Sequence, residues 1–91
     1  HHLGYALALY AYEADVVGLL TAANEPFTLF PPNITCMVNR EVIGIITKIH
    51  EKNANVKRAE SWLRNAGCRR IFPVDSVTGE GIDRLLAYLQ M

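Results

Sequence analysis

The chain has 91 residues, and surface scaling lets a chain of this size bury about 64% of its unfolded surface, enough for one small domain without disulfides. Apolar residues make up 51% and charged residues 20%, with nine Lys and Arg balancing nine Asp and Glu; this excludes disorder and the basic footprint of a nucleic-acid or anionic-membrane binder. No stretch approaches the roughly 18 consecutive apolar residues of a membrane-spanning helix.

The opening segment, residues 3–12, carries two patterns. Alternation of large and small residues suits a strand. Its alanines and the Leu3, Leu7, Tyr10 stripe suit a helix, which is the expectation taken here. Residues 15–21 then read as a strand, because Val16, Val17, Leu19 and Leu20 form the near-continuous apolar run of a strand buried on both faces. Pro26, Pro31 and Pro32 make 24–33 a loop, which should fold down to cover Phe27, Leu29 and Phe30.

Residues 41–47 form a second strand. The β-branched run Val42-Ile43-Gly44-Ile45-Ile46 has no polar side, the mark of a central parallel strand. A helix is predicted over 54–66, capped by Asn53 and closed by Gly67, with Val56, Ala59, Leu63 and Ala66 on its inner side. Residues 71–74 are a short third strand, whose Pro73 suggests an edge position. A final helix over 81–89 presents Ile82, Leu85, Leu86 and Leu89 at i, i+3, i+4 and i+7. Strand, helix, strand order demands right-handed crossovers and a parallel sheet, an α/β arrangement.

Cys36 and Cys68 form no CxxC pair and read as free thiols in a reducing compartment. The start lacks the cationic region and cleavage motif of a signal peptide, and His1 and His2 receive no metal role. Ligands of open parallel sheets bind beyond the carboxyl ends of the strands. Two polar segments fall there: Thr47-Lys48-Ile49-His50, and Asp75-Ser76-Val77-Thr78-Gly79-Glu80-Gly81.

Apolar strand, Thr-Lys, helix ending Ala-Gly, strand, then Thr-Gly-Glu-Gly before an apolar helix resembles the base-recognition half of a Ras-like P-loop GTPase. The resemblance narrows on further segments. Ala14-Asp15-Val16-Val17, Phe27-Thr28-Leu29-Phe30, Cys36, Asn39-Arg40, Val42 to Ile49, and Arg58-Ala59-Glu60-Ser61-Trp62-Leu63-Arg64-Asn65-Ala66-Gly67 resemble the family of ethanolamine utilisation protein P and propanediol utilisation protein V.

That resemblance implies the carboxyl half of a three-layer Ras-like P-loop fold, three mainly parallel strands with flanking helices, making residues 1–91 one partial domain. It implies binding of a purine nucleotide, GTP or ATP with Mg²⁺ in the intact protein, through Thr47, Lys48, His50, Asp75, Ser76 and Val77. It also implies a bacterial cytoplasmic setting and possible contacts with microcompartment proteins. No catalytic or metal-binding residue is expected in these 91 residues, nor a nucleotide held by them alone, since they contain no G-x-x-x-x-G-K-[ST] loop to cradle phosphates.

Two positions depart from the family. His50 stands where an aspartate accepts two hydrogen bonds from guanine; a neutral imidazole has one acceptor and an imidazolium none. Asp75-Ser76 replaces Ser-Ala, setting a carboxylate beside the backbone N–H groups of Ser76 and Val77 that could meet a base carbonyl. Guanine selectivity is thereby weakened. The alternative expectation is a protein-interaction remnant or fragment with no nucleotide. Under either reading these residues are expected to self-associate through the edge of the 15–21 strand. A receiver-like domain would need an acidic cluster at the strand ends, which Asp75 alone does not supply.

Overall fold

The computed structural model describes residues 16–90 except Leu29 and Val38. The helix expected over 3–12 lies outside these residues. Among them the elements run β1 (Val16–Ala22), a 3-10 turn (Ile34–Met37), β2 (Glu41–Thr47), α1 (Val56–Ala66), β3 (Ile71–Pro73) and α2 (Ile82–Leu89). The sheet has three strands in the order β1-β2-β3. All pairings are parallel, with Val16 opposite Glu41, Ala22 opposite Thr47, Gly44 opposite Ile71 and Ile46 opposite Pro73. This is the α/β class the strand and helix order demands.

The apolar run of β2 takes the centre of the described sheet, where Ile43 and Ile46 are fully buried. β3 sits at its edge, as Pro73 suggests. α1 packs across the sheet through Ala59, Leu63 and Ala66, all fully buried. These join Leu19, Ala23, Phe30, Ile46 and Cys68 in one core. Gly44 permits the close approach, since a Cβ there would lie 2.8 Å from Leu63 Cδ1 and 3.2 Å from Leu63 Cβ.

Several local expectations need correction. Asn55, not Asn53, caps α1: its Oδ1 accepts from the Arg58 N–H at 3.0 Å. Asn53 instead adopts a left-handed turn, with φ at +68°. The Asn55 N–H donates to the Ala23 carbonyl at 2.7 Å. That tie to the end of β1 holds the chain extended two residues longer, so the helix begins at Val56, which is only half-buried. Phe27 is not covered but 63% exposed, whereas Phe30 is buried. The Thr28 hydroxyl accepts the Phe30 N–H at 3.1 Å, turning Phe30 towards the core and leaving Phe27 outside. Gly81 is the residue before α2 rather than its first turn.

Gly67 closes α1 as expected, at φ +114°. Its N–H reaches the Arg64 and Leu63 carbonyls, satisfying groups a helix end otherwise leaves without partners. α2 buries none of its residues fully; Leu86 and Leu89 remain exposed. No helix among the described residues is long and apolar enough to cross a membrane.

Candidate functional site

Both polar segments leave the same end of the sheet. Thr47 ends β2, and Lys48 follows in the left-handed region at φ +57°. Its carbonyl accepts the Glu51 N–H at 3.1 Å, so residues 48–51 turn back tightly over the strand end. After β3, the Val74 N–H donates to the Ile46 carbonyl at 2.7 Å, extending the strand contact beyond Pro73. Val74 therefore sits beside Thr47, and Asp75 emerges one residue beyond that pairing.

The second loop is organised by Asp75, which is only 6% exposed. Its Oδ1 accepts the Val77 N–H at 3.0 Å and its Oδ2 the Thr78 hydroxyl at 3.3 Å. Its backbone N–H donates to the Glu80 carbonyl at 2.9 Å, and its carbonyl accepts the Gly79 N–H at 2.7 Å. Thr78 Oγ1 in turn accepts the Glu80 N–H at 3.2 Å. Buried polar groups need such partners. The Asp75 carboxylate thus holds the loop in a compact turn. The Val77 N–H is engaged within that turn, while Val77 as a whole stands 85% exposed. Ser76 is also exposed.

His50 and Glu80 join the two loops, with Nε2 and Oε1 2.5 Å apart. Glu80 is the member of this pair that the sequence reading left out of the candidate site. It lay in plain view in Thr78-Gly79-Glu80-Gly81, but 30 residues separate it from His50 and no spacing rule connects them. The hydrogen bond to Glu80, then its charge, raise the His50 pKa above the ordinary 6.5, with a smaller contribution from Asp75. The pair's stabilisation is therefore complete below pH 6.5 and is lost as pH rises through the raised value. Both side chains are more than half exposed, so the effect on global stability is small. An NMR titration of the His50 ring should give a midpoint above 6.5 that Glu80→Gln returns towards the ordinary value. A midpoint unchanged by that substitution would dissolve the contact.

Chemically, the arrangement offers an alkylammonium at Lys48, a hydroxyl at Thr47, the exposed Ser76 backbone and an imidazole held by a carboxylate. It does not fit a metal site: among the described residues no group of three His, Cys, Asp or Glu could hold an ion. Cys68 is buried, and burial pushes its thiol up to about 11, away from thiolate chemistry.

The sequence profile of the PduV-EutP family, described as ethanolamine utilisation - propanediol utilisation, matches residues 1–91. The chain is 34% identical over 85 residues to a protein of Citrobacter freundii named propanediol utilization protein PduV. That match covers 92% of this chain and 57% of the relative, so the chain spans little more than half the relative's length. A match along the whole chain, together with this identity, carries the conclusion that the chain belongs to the PduV-EutP, ethanolamine and propanediol utilisation, family.

Proposed function

We propose that this chain is the base-recognition part of a purine-nucleotide-binding, P-loop NTPase-like protein serving ethanolamine or propanediol utilisation in the bacterial cytoplasm. The observation that carries this reading is the bridge between His50 and Glu80, which brings the Thr-Lys loop and the Thr-Gly-Glu-Gly loop together at the carboxyl ends of β2 and β3. Lys48 lays its alkyl stem along the base, and the Ser76 backbone N–H meets an acceptor on the base edge. GTP or ATP with Mg²⁺ is the cofactor of the whole protein, and microcompartment proteins are its partners. These 91 residues contain no phosphate-cradling loop, so at this site the two loops contribute base contacts only.

Phosphate and metal contacts supply most nucleotide affinity in such proteins. The chain should therefore bind GTP or ATP no better than about millimolar, about −4 kcal/mol. A titration followed by ¹⁵N-edited NMR should move the amides of Lys48, His50 and Ser76 with either nucleotide. Micromolar binding in calorimetry would refute the affinity claim. Shifts confined to residues away from both loops would refute the site.

Base selectivity has its own test. His50→Asp restores two acceptors for guanine but sets a third carboxylate beside Glu80 and Asp75. The double variant His50→Asp/Glu80→Gln should favour guanine over adenine by about 1–3 kcal/mol relative to the parent. Equal affinities for both bases in the double variant would show that position 50 does not read the base.

A second reading, self-association, has its own observation. Among the described residues β1 pairs with β2 alone, and Phe27, Met37, Leu86 and Leu89 are exposed. An unpaired apolar strand is a template for another chain. Sedimentation at micromolar concentration should then give a dimer or larger species; a monomer throughout would exclude this reading.

A further inference from the structure

At the amino-terminal ends of β2 and β3, opposite the two loops, lies a cavity of about 590 Å³. Its size falls within the range of about 300–1,000 Å³ common for small-molecule sites. Arg40 just before β2 and Glu41 at its start line it, with Arg69 and Arg70 just before β3, and Thr35 and Gly67 beside them. These residues carry a net charge of plus two in a chain whose charges sum to zero overall.

Nearby acceptors are already engaged. The Glu41 carboxylate accepts the Tyr88 hydroxyl and lies 4.0 Å from Arg70 Nε. Arg70 is held over the Tyr88 ring at 5.2 Å, and the Tyr88 ring packs at a tilt against Phe72 of β3, centroids 5.3 Å apart. The carboxyl end of α1 is equally occupied. The Gly67 N–H serves the Arg64 and Leu63 carbonyls, and the Asn65 carbonyl accepts the Asn33 N–H at 2.9 Å. Arg40 and Arg69 have no ion-pair partner among the described residues.

We propose that this cavity binds the phosphate group of a phosphorylated small molecule. A phosphate dianion matches the local charge. Its tetrahedral oxygens can accept from guanidiniums arriving from two strand starts, whereas a planar carboxylate is satisfied by one guanidinium fork. Arg70, held over the Tyr88 ring, is the preorganised member; Arg40 and Arg69 close on the ligand. The site stands apart from the base-recognition loops and does not depend on their assignment.

Inorganic phosphate is the probe, titrated into the full chain at slightly alkaline pH, with ionic strength held constant by chloride and the response followed by ¹⁵N-edited NMR. The Gly67, Arg69 and Arg70 signals should shift saturably, with a Kd on the order of 1–10 mM, while Lys48 and Ser76 stay in place. Arg40→Gln and Arg69→Gln should each weaken binding about three- to tenfold. Glu41→Gln should tighten it by a similar factor, because the amide oxygen still accepts from Tyr88 while a repelling charge is gone. All three positions are exposed, and thermal melts check that the fold is kept; should one variant fail to fold, the other two decide. Identical shifts with chloride alone, saturation at the 47–50 and 75–81 loops instead, affinity indifferent to both arginine variants, or tighter binding of acetate than of phosphate would each overturn the proposal.

Discussion

Leu63→Ala should cost about 2–5 kcal/mol, the usual range for removing a fully buried leucine and leaving a cavity. Leu63 is the largest of the buried side chains that bind α1 to the sheet: it is fully buried and meets Gly44 at the centre of β2. In a domain of this size each kcal/mol moves the melting temperature by about 4–8 °C, so the loss is readily seen by circular dichroism. The converse substitution, Gly44→Ala, forces a Cβ to within 2.8 Å of Leu63 Cδ1 and should cost about 1–3 kcal/mol through overpacking. In the Leu63→Ala background that penalty should largely vanish, because the added methyl enters the space just emptied. The non-additivity is the test. Penalties that simply add would mean that the two residues do not share one packing contact.

Gly81→Ala should be the most disruptive small change near the candidate site. Gly81 holds φ at +81°, and a Cβ would lie 2.2 Å from the Pro73 carbonyl oxygen, a backbone atom that cannot rotate away. The left-handed backbone costs about 1–2 kcal/mol for a residue with a side chain, and displacing the packed strand end adds about 1–3 kcal/mol. Gly79 provides the internal control. Its φ is +82°, but a Cβ there meets nothing within 4 Å, so Gly79→Ala should show the backbone cost alone. Gly81→Ala should also move Glu80 away from His50 and lower the His50 titration midpoint towards 6.5. Equal melting losses for the two variants would remove the steric argument.

The strands were legible because their signals are local. The β-branched run of β2 has no polar face, and a central parallel strand is the arrangement that buries such a run. Gly67 and the α1 stripe were legible for the same reason: helical periodicity and a left-handed terminus are written in neighbouring residues. The start of α1 was not, because two asparagines stood within reach of the cap. The choice of Asn55 depended on its backbone bond to Ala23, far away in sequence. Phe27 and Phe30 have the same hydropathy, and only the Thr28 turn decided which of them entered the core.

The candidate site divides along the same line. Its loops could be placed at one end of the sheet from strand order, since parallel strands direct their carboxyl ends one way. Asp75 could be read as a turn residue from its type. The tertiary structure alone decided that His50 meets Glu80 and that Arg40, Arg69 and Arg70 surround one cavity at the opposite end. These groupings arise from the register of β2 against β3, which brings together side chains on different strands. Composition and periodicity determined the α/β layout, because burial of apolar runs depends on neighbours along the chain. Contacts between charged side chains depend on the crossover and register, and no local pattern encodes them.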